Sequence, residues 1–97
     1  VLDKLKQLME MKKQAEEIKR QLENTRIEIN DGRGVKIIIN GAQHFESVEI
    51  SDDMVKSQDK RRMEAELLRG INGAIAKSQA AAAQKMKDVT GFNIPGF

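Results

Sequence analysis

Val35-Lys36-Ile37-Ile38-Ile39-Asn40 is the stretch whose reading decides the fold. Side chains alternate across a strand, so Val35, Ile37 and Ile39 share one face while Ile38 points to the other. Both faces therefore ask for cover. A chain with two helices and one small sheet can lay a helix on one face, and the other meets either solvent or a second copy of the chain. The expectation is a second copy, with Ile38 at its interface.

Asn40-Gly41 follows at once and is the strongest hairpin signal in the chain, because a two-residue type I′ turn needs positive φ at both positions. Folded that way, Ile39 faces Ala42, Ile38 faces Gln43, Ile37 faces His44 and Lys36 faces Phe45. A third strand over 43–50 then sets Val48 and Ile50 on the Ile37 face and brings Phe45 beside Ile38. Ile38 and Phe45 are thus the expected dimer interface. Upstream, residues 25–30 alternate apolar Ile27 and Ile29 with polar Arg26, Glu28 and Asn30, the pattern of a half-buried strand. Asp31-Gly32-Arg33-Gly34 supplies the turn between them.

Helical patterns flank this sheet. Residues 1–23 follow a heptad, with Val1, Leu8, Ala15 and Leu22 on one seam position, Met11 and Ile18 on the other, and Leu5 widening the stripe. Lys12/Glu16, Lys13/Glu17, Glu16/Arg20 and Lys19/Glu23 stand at four-residue spacing on its polar flank, each pair worth a few tenths of a kcal/mol at most. Ser51 caps a short helical turn over 52–57 that opens with Asp52 and Asp53. Gln58-Asp59 precedes a long helix over 60–89, on the order of 45 Å, more than this sheet can cover. Part of it must project. Gly70 and Gly73 each cost about 1 kcal/mol inside a helix, so a close backbone approach is expected at both. Gly91 and Pro95 end the helix. The apolar tail over 92–97 is expected to fold back onto a helix or a partner chain.

The 97 residues make one domain, 1–97, small enough that a partner's core would help its stability. Only 3% of residues are aromatic while a third are charged, a profile of solvated helices rather than of a compact enzyme core. With no cysteine there is no disulfide framework and no thiolate chemistry, as suits a reducing compartment. No apolar run approaches the roughly 20 residues of a membrane span. A chain beginning with Val implies residues ahead of it in the natural protein.

Catalytic chemistry finds no foothold. His44, with Glu46 two positions on, is half of a metal site at most, since a metal takes three or four ligands. Asp52 and Asp53 suit a helix start better than acid–base work. The 31–34 glycines lack phosphate-loop spacing and a following helix. The serines have no base set beside them by local sequence. The expectation is no enzyme, no cofactor, no metal and no small-molecule substrate. Basic residues are what remain: Lys12-Lys13 and Lys19-Arg20 on the first helix, Lys60-Arg61-Arg62 opening the last, then Arg69, Lys77, Lys85 and Lys87 with no acid between Leu67 and Lys87. Without aromatic stacking platforms, the nucleic acid that suits such a surface is a duplex held by its phosphates.

The order of parts is an amphipathic Lys/Gln/Met-rich helix, Val-Lys-Ile-Ile-Ile-Asn-Gly, Ser-Val-Glu-Ile-Ser-Asp, and a long Ala-rich helix running into Lys-Met-Lys-Asp-Val-Thr-Gly-Phe-Asn-Ile-Pro-Gly-Phe. It closely resembles the bacterial YbaB/EbfC family of nucleoid-associated proteins over essentially the whole chain. The resemblance implies an α/β (α+β) homodimer joined through its three-stranded antiparallel sheets, with helices splayed like tweezers. It implies binding of double-stranded DNA in the cytoplasm, on the nucleoid, and no membrane. By location in the helical arms it points to Lys12, Lys13, Lys19, Arg20, Lys77, Lys85 and Lys87 as DNA contacts. The alternative is a protein-interaction module, a prefoldin-like holdase working through its helical arms.

Overall fold

A computed structural model describes residues 1–90, Thr90 by its backbone alone. The expectations for Gly91, Pro95 and the tail over 92–97 lie outside the described residues. The chain runs α1 (Leu2–Glu23), β1 (Arg26–Asn30), β2 (Val35–Asn40), β3 (Phe45–Ile50), α2 (Asp52–Lys56) and α3 (Lys60–Thr90). The strands are antiparallel in the order β1-β2-β3, so the Ile-rich strand is central. This is the α+β arrangement that the apolar spacing implies, with two strand boundaries moved, β1 starting one residue later and β3 two, and helix ends shifted by one residue.

One face of β2 makes the core. Val35, Ile37 and Ile39 are buried with Met54 of α2 and Ala74 of α3, and Ile27, Ile29, Ile50, Met63 and Leu67 pack around them. Each fully buried isoleucine contributes roughly 1.5–3 kcal/mol. The stops between elements are the capping residues. Ser51 Oγ accepts from Met54 N at 3.1 Å, and Asp59 Oδ1 accepts from Arg62 N at 3.1 Å. Between β1 and β2, Gly32 and Gly34 take φ of +77° and +101°, the left-handed values that favour glycine.

The β2–β3 connection differs from the two-residue turn. Gly41 does not adopt positive φ, whereas Gln43 does, at +65°. The Asn40 side chain explains this: its Oδ1 accepts from both Ala42 N and His44 N at 2.9 Å, closing a wider loop that needs no type I′ geometry. Gly41 serves another purpose. Its N–H donates to Leu22 O at 2.9 Å and Thr25 O at 3.0 Å, and a Cβ there would sit 2.9 Å from Leu22 Cδ2. Glycine is therefore present so that the end of α1 can lie against the loop.

The wider loop and a bulge move the register. Ile39 pairs with Phe45, Ile38 with Ser47, Ile37 with Val48 and Val35 with Ile50. Phe45 therefore does not sit across from Ile38. Nor does Ile38 need a second copy to leave water, since it is 4% exposed in a single chain. Its strand neighbours are Lys36 and Asn40, its cross-strand neighbours Glu28 and Ser47. Lys36 Nζ bridges Glu28 at 3.3 Å and Glu49 at 3.7 Å over this rear face. The apolar surface left open is on edge strand β3 instead: Phe45 is 45% exposed and Val48 49%. Val48 pairs with core residue Ile37 but is not buried with it.

At Gly70 an added methyl would meet Ile37 Cδ1 at 2.7 Å, so α3 does come unusually close to the sheet there. Gly73 has open space where its side chain would be, so the same reason does not extend to it. Midway along α3, buried Ser78 donates its hydroxyl to Asn40 O at 2.9 Å. Asn40 thus ties the loop, the end of α1 and the middle of α3 together. The molecule extends 66 Å along its longest axis and 22 and 16 Å across it.

Candidate nucleic-acid interface

On α1, Leu22 is buried and Ile18 and Gln21 are half-buried, while every position from Leu2 to Glu16 is exposed. Leu5, Leu8 and Met11, three of the seam residues, are among those exposed. Lys12, Lys13, Lys19 and Arg20 are all exposed, yet they are not equivalent. Arg20 holds Glu17 by two bonds, Nη2 to Oε1 at 2.5 Å and Nε to Oε2 at 3.1 Å, and Gln21 Nε2 donates to the same carboxylate at 2.9 Å. The Arg20 hydrogen bond, then that of Gln21, holds the Glu17 carboxyl down at about 2, and the bond to Glu17 raises the Arg20 guanidinium above its ordinary value. This three-residue pair replaces the four-residue pairs suggested for Glu17 and Arg20 by spacing. A phosphate reaching Arg20 must compete with Glu17.

The second half of α3 is less neutralised. Lys77 and Lys87 are exposed, whereas Lys85 is half-buried. The wheel explains Lys85: it stands seven residues after buried Ser78, about 20° away in direction, on the packed side of the helix. Among the described residues none of Lys77, Lys85 and Lys87 makes an ion pair. Asp88, the nearest acid on α3, accepts from Gln84 Nε2 at 2.8 Å. The structure therefore does not gather the basic candidates at one point. It leaves Lys77 and Lys87 open, Lys85 partly covered and Arg20 engaged.

A groove of mixed charge lies at the other end of α3, assembled from elements far apart in sequence. Arg33, Lys36 and Arg62 line it together with Glu49, Asp52 and Asp53. Arg33 lies 3.8 Å from Asp31 and 3.9 Å from Glu66, and Arg69 lies 3.8 Å from Asp31. Spacing alone does not bring Arg33 next to α3; the turn built on positive-φ Gly32 and Gly34 does. Single His44 is exposed, and among the described residues no group of three or more His, Cys, Asp or Glu is arranged to hold a metal ion.

These features define a small α+β protein, a β2-centred sheet carrying helices whose Lys77 and Lys87 stand exposed without an ion pair among the described residues. Residues 1–92 match the YbaB/EbfC DNA-binding family, and the chain belongs to that family. Relatives named as nucleoid-associated proteins include one from Caldicellulosiruptor bescii, 35% identical over 72 residues, 73% of this chain and 64% of that protein. The match thus spans less than two thirds of that relative's length. Another from Desulforamulus reducens is 33% identical over 96% of this chain and 90% of its own. One from Thermoanaerobacter pseudethanolicus is 31% identical over 96% and 86%. Among solved structures, an uncharacterized protein from Helicobacter pylori superposes with a TM-score of 0.68 at 20% identity, covering 94% of each chain, a likeness of fold.

Proposed function

We propose that this chain grips duplex DNA mainly through its phosphates, with little sequence preference, as an architectural or regulatory component of the bacterial nucleoid in the cytoplasm. The observation that carries the reading is the acid-free stretch of α3 from Leu67 to Lys87, whose Lys77 and Lys87 stand exposed and without an ion pair among the described residues. Lys12, Lys13 and Lys19 on α1 add further exposed cations, with Lys85 and Arg20 contributing when their present neighbours release them. Phosphate contacts orient a protein on a duplex without reading its sequence. The active form is a homodimer joined through the sheets. Its apolar seam is β3, where Phe45 offers the surface that Ile38 does not.

Changing Lys77, Lys85 and Lys87 together to Gln tests the contact surface. Gel retardation of unrelated duplexes should weaken while mass in solution stays that of the dimer; retardation equal to wild type removes this helix as the contact surface. The exposed apolar residues Leu2, Leu5, Leu8, Met9 and Met11 favour the second reading, a holdase-like interaction module. Suppression of client aggregation with no DNA retardation would select it.

A further inference from the structure

We propose that the solvent-facing back of α3, from Arg62 through Arg69 to Lys87, is a rail for one duplex, holding phosphates at two points about one helical repeat apart. The inference rests on the DNA-binding reading above and deepens it by adding Arg62 and Arg69, at the sheet end, to the contacts of the arm. At 100° per residue, positions 62, 69 and 87 fall within about 20° of one another. All three residues are exposed, while Met63, Leu67, Ala74 and Ser78 on the inward side are half-buried or buried. The line therefore faces water.

Twenty-five residues separate Arg62 from Lys87, about 37 Å along the helix. B-DNA repeats every 34–36 Å or so, so a duplex lying parallel to α3 presents the same side of its backbone at both ends. Beyond Arg69 and up to Lys87 the same side of the helix carries Gly73, Ala76 and Ala80, which add neither bulk nor negative charge. Nothing lies within 4 Å of where a Gly73 side chain would begin, so the approach is open. At the sheet end two of the nearby carboxylates are already drawn off, Glu66 lying 3.9 Å from Arg33 and Asp31 shared by Arg33 and Arg69 at 3.8 Å each, while Asp52 and Asp53 line the groove beside Arg62. The Arg62 side chain makes no ion pair among the described residues, and Arg33 and Lys36 line the same groove.

The test is fluorescence anisotropy of the full chain with labelled duplexes, comparing wild type with Arg62→Gln/Arg69→Gln across a salt series. On a duplex of about 20 base pairs the double variant should lose close to 2 from the log–log salt slope per bound chain, at roughly 0.9 for each phosphate given up. Arg62→Lys/Arg69→Lys should restore the slope, because a phosphate contact needs charge. Arg62→Gln alone should show about half the loss, and it removes no ion pair. Lengthening the duplex from about 8 to about 12 base pairs should steepen the wild-type slope and leave that of the double Gln variant unchanged. Equal slopes for wild type and the Gln variants, with wild type still bound, overturn the rail. Absence of any wild-type binding overturns the DNA reading itself.

Discussion

Across Ser78 the same helix changes its surroundings. Before it, Met63, Leu67 and Ala74 pack onto the core built on Val35, Ile37 and Ile39, and Gly70 brings the helix against Ile37. After it, Ala81, Ala82 and Met86 are only half-buried, and α1 has every side chain from Leu2 to Glu16 exposed. Two tasks are thereby separated: the inward face of the sheet half supplies stability, and the exposed cations of the arm, with the outward line through Arg62 and Arg69, display charge. Substitutions of buried residues and of exposed cations should therefore fail in different assays.

The largest effect should come from the sheet half. Ile37→Ala empties a fully buried site and should cost about 2–5 kcal/mol in urea unfolding, whereas Leu8→Ala on the exposed arm should stay within about 0.5 kcal/mol. A comparable loss at Leu8 would mean that the arm is packed in solution. The two glycines sharpen the boundary further. Gly70→Ala should destabilise by about 1–3 kcal/mol, since the new methyl would start 2.7 Å from Cδ1 of fully buried Ile37. Gly73→Ala, in open space, should stabilise by about 0.4–1 kcal/mol through helix propensity and reduced unfolded-state freedom. At the junction, Ser78→Ala leaves the buried Asn40 carbonyl one hydrogen bond short and should cost about 1 kcal/mol by the same measurement.

The smallest effect belongs to the arm. Glu17 is held at about 2 against an ordinary 4.5, so its pairing adds stability above its unfolded value that is lost as pH falls from about 4.5 through about 2. Both partners are open to solvent, which keeps the contribution small. An NMR titration of Arg20→Gln should return the Glu17 midpoint toward 4.5 with little change in melting temperature. An unchanged midpoint would remove Arg20 as its cause.

What the sequence makes legible follows from which interactions are local. Alternation along β2, the Ser51 and Asp59 caps and the helical stripe of α3 are each written in neighbouring residues, and the element order follows from them. The loop after Asn40 is not local. Asn-Gly reads as a tight turn until the end of α1 arrives against Gly41, and the Asn40 side chain then stabilises a wider loop. That change carries Phe45 away from Ile38 and alters which strand offers an apolar surface. Likewise, Lys77, Lys85 and Lys87 look equivalent as cations until the packing of α3 leaves Lys85 half-buried. The groove joining Arg33, Lys36 and Arg62 is formed only when the turn folds against α3.

In the proposed function, free cations rather than any shaped pocket are the means of attachment to DNA. The direct test is affinity for two duplexes of unrelated sequence measured across salt. With about six to ten phosphate contacts per dimer, binding to both should fall in parallel by roughly three to five orders of magnitude between about 50 and 200 mM salt. A response that is flat in salt, or steep for one duplex and absent for the other, would contradict it.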